Sequence, residues 1–252
     1  MRPAFAAQSP LRAARLFRGL HVRERVTITI DGPAGTGKST TARLLARRLG
    51  LEFLDTGAMY RATALIALEE RLDLADGPRI ARAIEQAGLQ FDWSADPPRL
   101  LLTRPCERDI TDRLRDGDVT LASSSIARLP EVRAIMVAAQ RRLRAAHPRL
   151  VSEGRDQGSV VFPDAEVKFF LDATPQARAR RRADQLRSAG QRVDEPRLLA
   201  EIIERDTADR NRDTGPLIIP DDALVVDTTN LSHDEVLAAL ERHVRLALPE
   251  LS

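Results

Sequence analysis

A chain of 252 residues, 43% hydrophobic and 30% charged, can bury the core of one α/β domain or two small ones. A net charge of +2 and aromatics at only 4% offer neither the basic stripe nor the stacking platform that nucleic acids need, so no nucleic-acid partner is expected. The single cysteine, Cys106, excludes an intramolecular disulfide and fits a reducing, cytoplasmic setting, and no apolar run approaches the ~18 residues of a membrane span.

The first 25 residues carry five arginines up to Arg23 and no acid in that stretch. Arg12, Arg15 and Arg18 alternate with Leu11, Leu16 and Phe17, as they would in an organellar transit peptide, in an arginine-rich tail or behind a start codon placed too early. The rest of the chain is equally arginine-rich, which favours the plainer readings, and residues 1–25 are expected to be a disordered extension.

Val26-Thr27-Ile28-Thr29-Ile30 is β-branched throughout and predicts a buried strand over 26–31. Gly32-Pro33-Ala34-Gly35-Thr36-Gly37-Lys38-Ser39 follows, the G-x-x-x-x-G-K-S spacing of a phosphate-binding loop. Lys38 is one of two lysines, with Lys168, in a chain of 39 basic residues. Backbone N–H groups wrapped around a phosphate chain leave room for a compact ammonium but not for a planar guanidinium. Apolar residues at Ala42, Leu45, Ala46 and Leu49 have helical spacing over 39–49, and Gly50 is a stop. Strand, glycine loop and helix aim free N–H groups and a positive dipole end at an anion. The ligand class is a nucleoside di- or triphosphate with Mg²⁺, contacted by residues 32–38 together with Ser39 and Thr40; Lys38 reaches the β/γ-phosphates and Ser39 is the metal ligand.

A short strand over 51–55 leads into a helix over 57–70 that carries Tyr60 and Arg61 in its first turns, where a guanidinium can clamp a second phosphate group. Residues 72–117 predict a small β insertion, with strands at Leu89–Trp93 and Arg99–Leu102 around the Asp96-Pro97-Pro98 turn, and one helix is predicted over 118–146. A strand over 150–153 runs into Glu153-Gly154-Arg155-Asp156-Gln157-Gly158, where two carboxylates and an arginine at a strand end suggest a ligand site. Further strands are predicted at 167–172 and 223–227, and further helices at 174–189, 195–210 and 232–247, the last opening on the capping box Ser232-His233-Asp234-Glu235. This alternation implies a parallel sheet covered on both faces, with ligands bound beyond the carboxyl ends of its strands, near Asp55, Glu153 and Asp172. Residues 176–212 are dense in arginine, and the i, i+4, i+7 spacing of Arg205, Asp209 and Arg212 predicts one helical face. Arginines on a mobile lid can neutralise a transferring phosphoryl group while excluding water.

Four blocks together carry a resemblance: Ile30 to Ser39; Asp55-Thr56-Gly57-Ala58-Met59-Tyr60-Arg61; Gly154-Arg155-Asp156-Gln157-Gly158-Ser159-Val160-Val161-Phe162-Pro163; and Glu204-Arg205-Asp206 with Asp209-Arg210-Asn211-Arg212. In this order, from residue 26 to the end, they resemble bacterial cytidylate kinases. The resemblance implies the P-loop NTPase fold, a three-layer α/β/α molecule with a parallel central sheet, a small β insertion and an arginine-rich helical lid. It implies a core of 26–55, 150–175 and 220–252, a CMP-binding part of about 56–149 and a lid of about 176–205. It implies a cytoplasmic, monomeric enzyme that uses ATP and Mg²⁺ to convert CMP or dCMP to the diphosphate. By position, Arg61, Arg155 and Arg212 would hold the CMP phosphate, Asp156 would serve the sugar, and Ser124, Arg133 and Asp209 would read cytosine. Thr56, Tyr60, Glu153 and Arg205 would complete that site, while Lys38, Arg178, Arg181, Arg182 and Arg205 would attend the transferring group. Thr56 and Glu153 stand where serine and aspartate are frequent, and residues 1–25 have no counterpart.

Two other classes fit less well. A GTPase switch needs an Asn-Lys-x-Asp guanine reader, and Lys168 stands in Val167-Lys168-Phe169-Phe170 instead. A nucleic-acid-dependent ATPase would need a hydrophobic strand ending in Asp-Glu and a basic, aromatic stripe. Within the enzyme class, kinases of UMP/CMP or of shikimate-like alcohols stay open on the residues alone.

Overall fold

The computed structural model describes residues 24–251, so the extension expected over 1–25 lies almost wholly outside the described residues. In chain order the elements are β1 (Val26–Asp31), α1 (Lys38–Leu49), β2 (Glu52–Asp55), α2 (Thr56–Glu69), α3 (Gly77–Ala87), β3 (Leu89–Asp92), β4 (Arg99–Leu102), β5 (Arg108–Asp109), α4 (Gly117–Ile126), α5 (Pro130–Ala146), β6 (Arg149–Glu153), β7 (Val167–Asp172), α6 (Pro175–Ser188), α7 (Glu195–Arg210), β8 (Leu224–Asp227) and α8 (His233–Ala247). Five strands form one parallel sheet in the order β2-β6-β1-β7-β8.

β1 is central and buried along its whole length, as its β-branched run requires. Strand alternation sends Val26, Ile28 and Ile30 into a core shared with Leu45 and Leu49 of α1 and Leu237 and Leu240 of α8. Thr27, Thr29 and Asp31 therefore point to the opposite face, where they too are buried. A second core joins Leu54 and Leu150 of the sheet to α2 through Ala58, Met59 and Leu65, to α5 through Met136, and to the insertion through Ile80, Leu100 and Leu114. The sheet is thus packed on both faces, the three-layer arrangement expected of the sequence.

Two expectations need correction. The insertion over 72–117 contains an antiparallel sheet of β3, β4 and β5, but also α3, which the alternating strand pattern hid. Its signals were local: Asp76 caps its start by accepting from the N–H of Arg79 at 3.0 Å, Pro78 occupies its first turn, and Gly88 ends it at a φ of 67°. The single helix expected over 118–146 is two helices, because Pro130 has no N–H to continue α4 and instead starts α5.

α6 and α7 pack together and carry most of the arginine-dense stretch. Asp206 of α7 accepts from both terminal nitrogens of the buried Arg178 of α6, with Nη1 to Oδ1 at 3.0 Å. The Arg178 Nε also donates to the Ala173 carbonyl at 3.0 Å, and Nη1 to the Ala34 carbonyl at 3.1 Å, which fastens the helical pair to the back of the loop after β1.

Candidate active site

The loop from Gly32 to Gly37 joins the carboxyl end of β1 to the first turn of α1, and no side chain caps that helix. Its first N–H groups are therefore open to an anion. Lys38 is 5% exposed and its ammonium donates to the Pro33 carbonyl at 2.7 Å. Thr36 ties the same carbonyl down, donating to it at 3.1 Å. Burial, and then the Arg155 guanidinium, pull the Lys38 pKa well below the ordinary lysine range, while Glu153, Asp31 and Asp209 oppose them. A bound polyphosphate would restore the charged form.

Beside this ammonium stand the carboxyl ends of β2 and β6. Glu153 accepts from the Ser39 hydroxyl at 2.8 Å, and burial, followed by the nearby Asp55 carboxylate, raises its pKa. Thr56 is buried and donates its hydroxyl to the Glu153 carbonyl at 2.7 Å. A hydroxyl and a carboxylate, both hard oxygen donors, facing the triphosphate loop are what Mg²⁺ takes from a protein that leaves its other positions to phosphate and water. No cluster of three or more His, Cys, Asp or Glu that could hold a metal ion occurs among the described residues.

On the other side of Lys38 the arginines converge. Asp55 accepts from the Ala58 N–H at 2.7 Å, capping α2, and from Arg61 Nη2 at 3.0 Å. Asp209 accepts from Arg155 Nε at 2.9 Å and pairs with Arg212 Nη2 at 3.2 Å. Burial and then Arg155, Arg61 and Arg212 lower the Arg205 pKa, with Asp209 opposing. The Nε atoms of Arg61 and Arg205 are buried without a hydrogen-bond partner. Asp55 and Asp209 pair directly with three of these four guanidinium groups, while Glu153 and Asp31 act on Arg155, and Asp156 on Arg212, at longer range; the buried, unpartnered Nε atoms are where an anion would be accommodated. Next to them, Arg133 is 4% exposed and pairs through Nη2 with Asp156, while its Nη1 donates to the Tyr60 hydroxyl at 3.4 Å. Burial pushes the Tyr60 pKa up to about 12, so the phenol stays neutral and can itself donate.

The expected site residues therefore fall into groups. Residues 32–40 form the loop and the first turn of α1. Arg61, Arg155, Arg205, Asp209 and Arg212 form one cluster, and Tyr60, Arg133 and Asp156 a second beside it. Ser124 is half-buried on α4, and no hydrogen bond links its side chain to either cluster. Arg178 faces inward, with its donors on Asp206, Ala173 and Ala34. Arg181 is tied to the Thr228 hydroxyl at 3.2 Å and to its carbonyl, and Arg182 is exposed to solvent.

Three residues escaped the sequence reading. Thr228 is buried and donates to the Asp172 carbonyl at 3.0 Å and, more weakly, to the Thr36 carbonyl at 3.4 Å, joining the end of β8 to the phosphate loop. Gly215 has a φ of 60°, and a Cβ there would lie 1.8 Å from Arg133 Nη2 and 2.5 Å from Asp156 Oδ2. Asp31 is 1% exposed and accepts from the backbone of the turn after β6. Gly215 and Asp31 gave no signal at short range, since their partners lie far along the chain. A cavity of about 290 Å³ lies between Ser39 and Thr40 on one side and Phe91, Pro98 and Leu100 of the insertion on the other.

A family model described as Cytidylate kinase matches residues 28–246. A cytidylate kinase from Aeromonas salmonicida (strain A449) is 43% identical over 225 residues, covering 89% of this chain and 96% of its own. One from Caldanaerobacter subterraneus subsp. tengcongensis is 42% identical over 220 residues, covering 87% and 95%. One from Rhodococcus opacus (strain B4) is 44% identical over 213 residues, covering 84% and 92%.

Proposed function

The chain belongs to the cytidylate kinase family, and on that premise we propose how its side chains move a phosphoryl group from ATP to CMP or dCMP. It is a (d)CMP kinase: an oxygen of the acceptor monophosphate attacks the γ-phosphorus in line, the bond to the β-bridging oxygen breaks, and ADP and CDP (or dCDP) leave. The attacking phosphate is already anionic, so no side-chain base is needed.

The observation that carries the reading is the convergence of Arg61, Arg155, Arg205 and Arg212 beside the phosphate loop, with the buried Nε atoms of Arg61 and Arg205 left without a hydrogen-bond partner. The loop N–H groups and Lys38 hold the donor phosphates. Ser39, with Glu153 next to it, would hold Mg²⁺, which supplies charge neutralisation on the donor phosphates when bound. Arg61, Arg155 and Arg212 hold the acceptor phosphate. Arg205, Arg181 and Arg182 are the arginines proposed to meet the transferring group as α6 and α7 close. Arg178 could join them only by releasing Asp206, and its present partners support a role in holding α6 against the loop.

Asp209 accepts from the N4 amino group of cytosine, and Ser124 and Arg133 donate to O2 or N3. Asp156 and Tyr60 serve the sugar and the phosphate edge, with Thr56 and Glu153 shaping the floor. Uracil carries a carbonyl at C4 in place of the amino group, so it offers the Asp209 carboxylate an acceptor instead of a donor and binds less well. The enzyme is proposed to work as a monomer in the cytoplasm, and no helix among the described residues is long and apolar enough to cross a membrane.

An ADP-release assay across CMP, dCMP, UMP, AMP and GMP tests this. CMP and dCMP are expected to turn over, UMP poorly, AMP and GMP not at all. Asp209→Ala should reduce the CMP-over-UMP preference by about tenfold, the size of one lost charge-assisted hydrogen bond, while the ATP KM stays close to wild type. Turnover of AMP or GMP without CMP would overturn the substrate, and equal losses for CMP and UMP would overturn the role of Asp209.

A further inference from the structure

At the end of β1, Asp31 continues the inward row of Thr27 and Thr29, and it is 1% exposed. Its two carboxylate oxygens accept separate backbone hydrogen bonds, Oδ1 from the Gln157 N–H at 2.9 Å and Oδ2 from the Gly158 N–H at 2.7 Å. Those amides belong to the turn that carries Arg155 and Asp156. The turn approaches β1 so closely that a Cβ on Gly158 would lie 2.8 Å from Thr29 Oγ1 and 3.4 Å from Asp31 Oδ2. Asp31 has no hydrogen bond to the phosphate loop that begins one residue later, although its charge acts on Lys38. Its hydrogen bonding is therefore directed wholly at the acceptor side.

We propose that Asp31 is a positioning residue for the acceptor: by gripping the Gln157–Gly158 amides it fixes Arg155 and Asp156 at a set distance from the phosphate loop, and so sets the separation of donor and acceptor phosphates. This rests on the reading of Arg155 and Asp156 as acceptor-binding groups. An ionised carboxylate suits two N–H donors, and a carboxamide does not, since its NH₂ would confront one of them. A peptide turn docked by one hydrogen bond in place of two can shift by a fraction of an ångström, which is enough to weaken in-line phosphoryl transfer.

The test is Asp31→Asn, with Gly158→Ala as a second variant that pushes the same turn away and leaves the carboxylate intact. Steady-state kinetics are read against both substrates, with whichever monophosphate the wild type turns over as acceptor. The acceptor KM is expected to rise about tenfold in each variant, while the ATP KM changes by less than about threefold. A residue that only stabilises the fold would lower the active fraction and leave both KM values alone. Unchanged KM values, or equal rises for donor and acceptor, would overturn the proposal. Wild-type failure on CMP would instead overturn the substrate reading, and the variant-to-wild-type KM ratio would still report on Asp31. If Asp31→Asn does not fold, Gly158→Ala alone decides by the same ratio.

Discussion

A carboxylate that is held out of water keeps its proton more tightly than one in the unfolded chain. Burial raises the Asp31 pKa from the ordinary 3.8 to about 6, against the two N–H groups of Gly158 and Gln157 that pull it down. The sign follows from linkage. Because the folded state binds the proton better, this contribution to stability is full below 3.8 and is lost as the pH rises through about 6. Asp31→Asn cannot titrate. Between about pH 4 and about pH 7 the wild type should therefore lose up to about 3 kcal/mol of stability relative to the variant, measured by urea unfolding of the ligand-free proteins. Parallel pH profiles for the two would show that Asp31 is not the buried, strained acid described.

At the scale of elements, α6 and α7 depend on one buried ion pair. Arg178 and Asp206 are nearly inaccessible to solvent, and the pair links the two helices while Arg178 also holds Ala34 of the phosphate loop. Removing one partner of such a pair leaves a charge uncompensated, which costs about 3–5 kcal/mol. Asp206→Ala should lower stability by that amount and raise the ATP KM through the freed Arg178; a loss under about 1 kcal/mol would mean that water, not Asp206, satisfies the guanidinium. Elements with strong local signals were legible in advance: β1 and β7 have the predicted bounds, and the Ser232 capping box starts α8 as expected. α3 and the break at Pro130 were missed for a different reason. Ile80, Ala81, Ala83 and Ile84 do form an apolar helical face, but it is short and lies next to strand-like segments and the Asp-Pro-Pro turn, so its period is weak beside theirs.

The whole molecule brings together segments that are remote in sequence, and the site was legible to the extent that its chemistry is local. The phosphate loop and the Tyr60-Arg61, Gly154-Arg155-Asp156 and Asp209-Arg210-Asn211-Arg212 blocks each carry a recognisable combination of side chains. The contact of Gly215 with the Arg133–Asp156 pair, the grip of Asp31 on Gly158 and the inward turn of Arg178 depend on how sheet, turn and helices pack, so spacing could not reveal them. Arg178, Arg181 and Arg182 look equivalent on a helix, yet one is buried under the loop, one is bound to Thr228 and one faces solvent. The arginines beside the loop are proposed to receive a cytidine monophosphate while Lys38 and the loop amides hold ATP. A crystal structure with CMP and a non-hydrolysable ATP analogue tests this most directly. The acceptor phosphate is expected among Arg61, Arg155 and Arg212, in line with the γ-phosphate, and cytosine against Ser124, Arg133 and Asp209. A base bound away from those three residues, or an acceptor phosphate outside the arginine cluster, would contradict it.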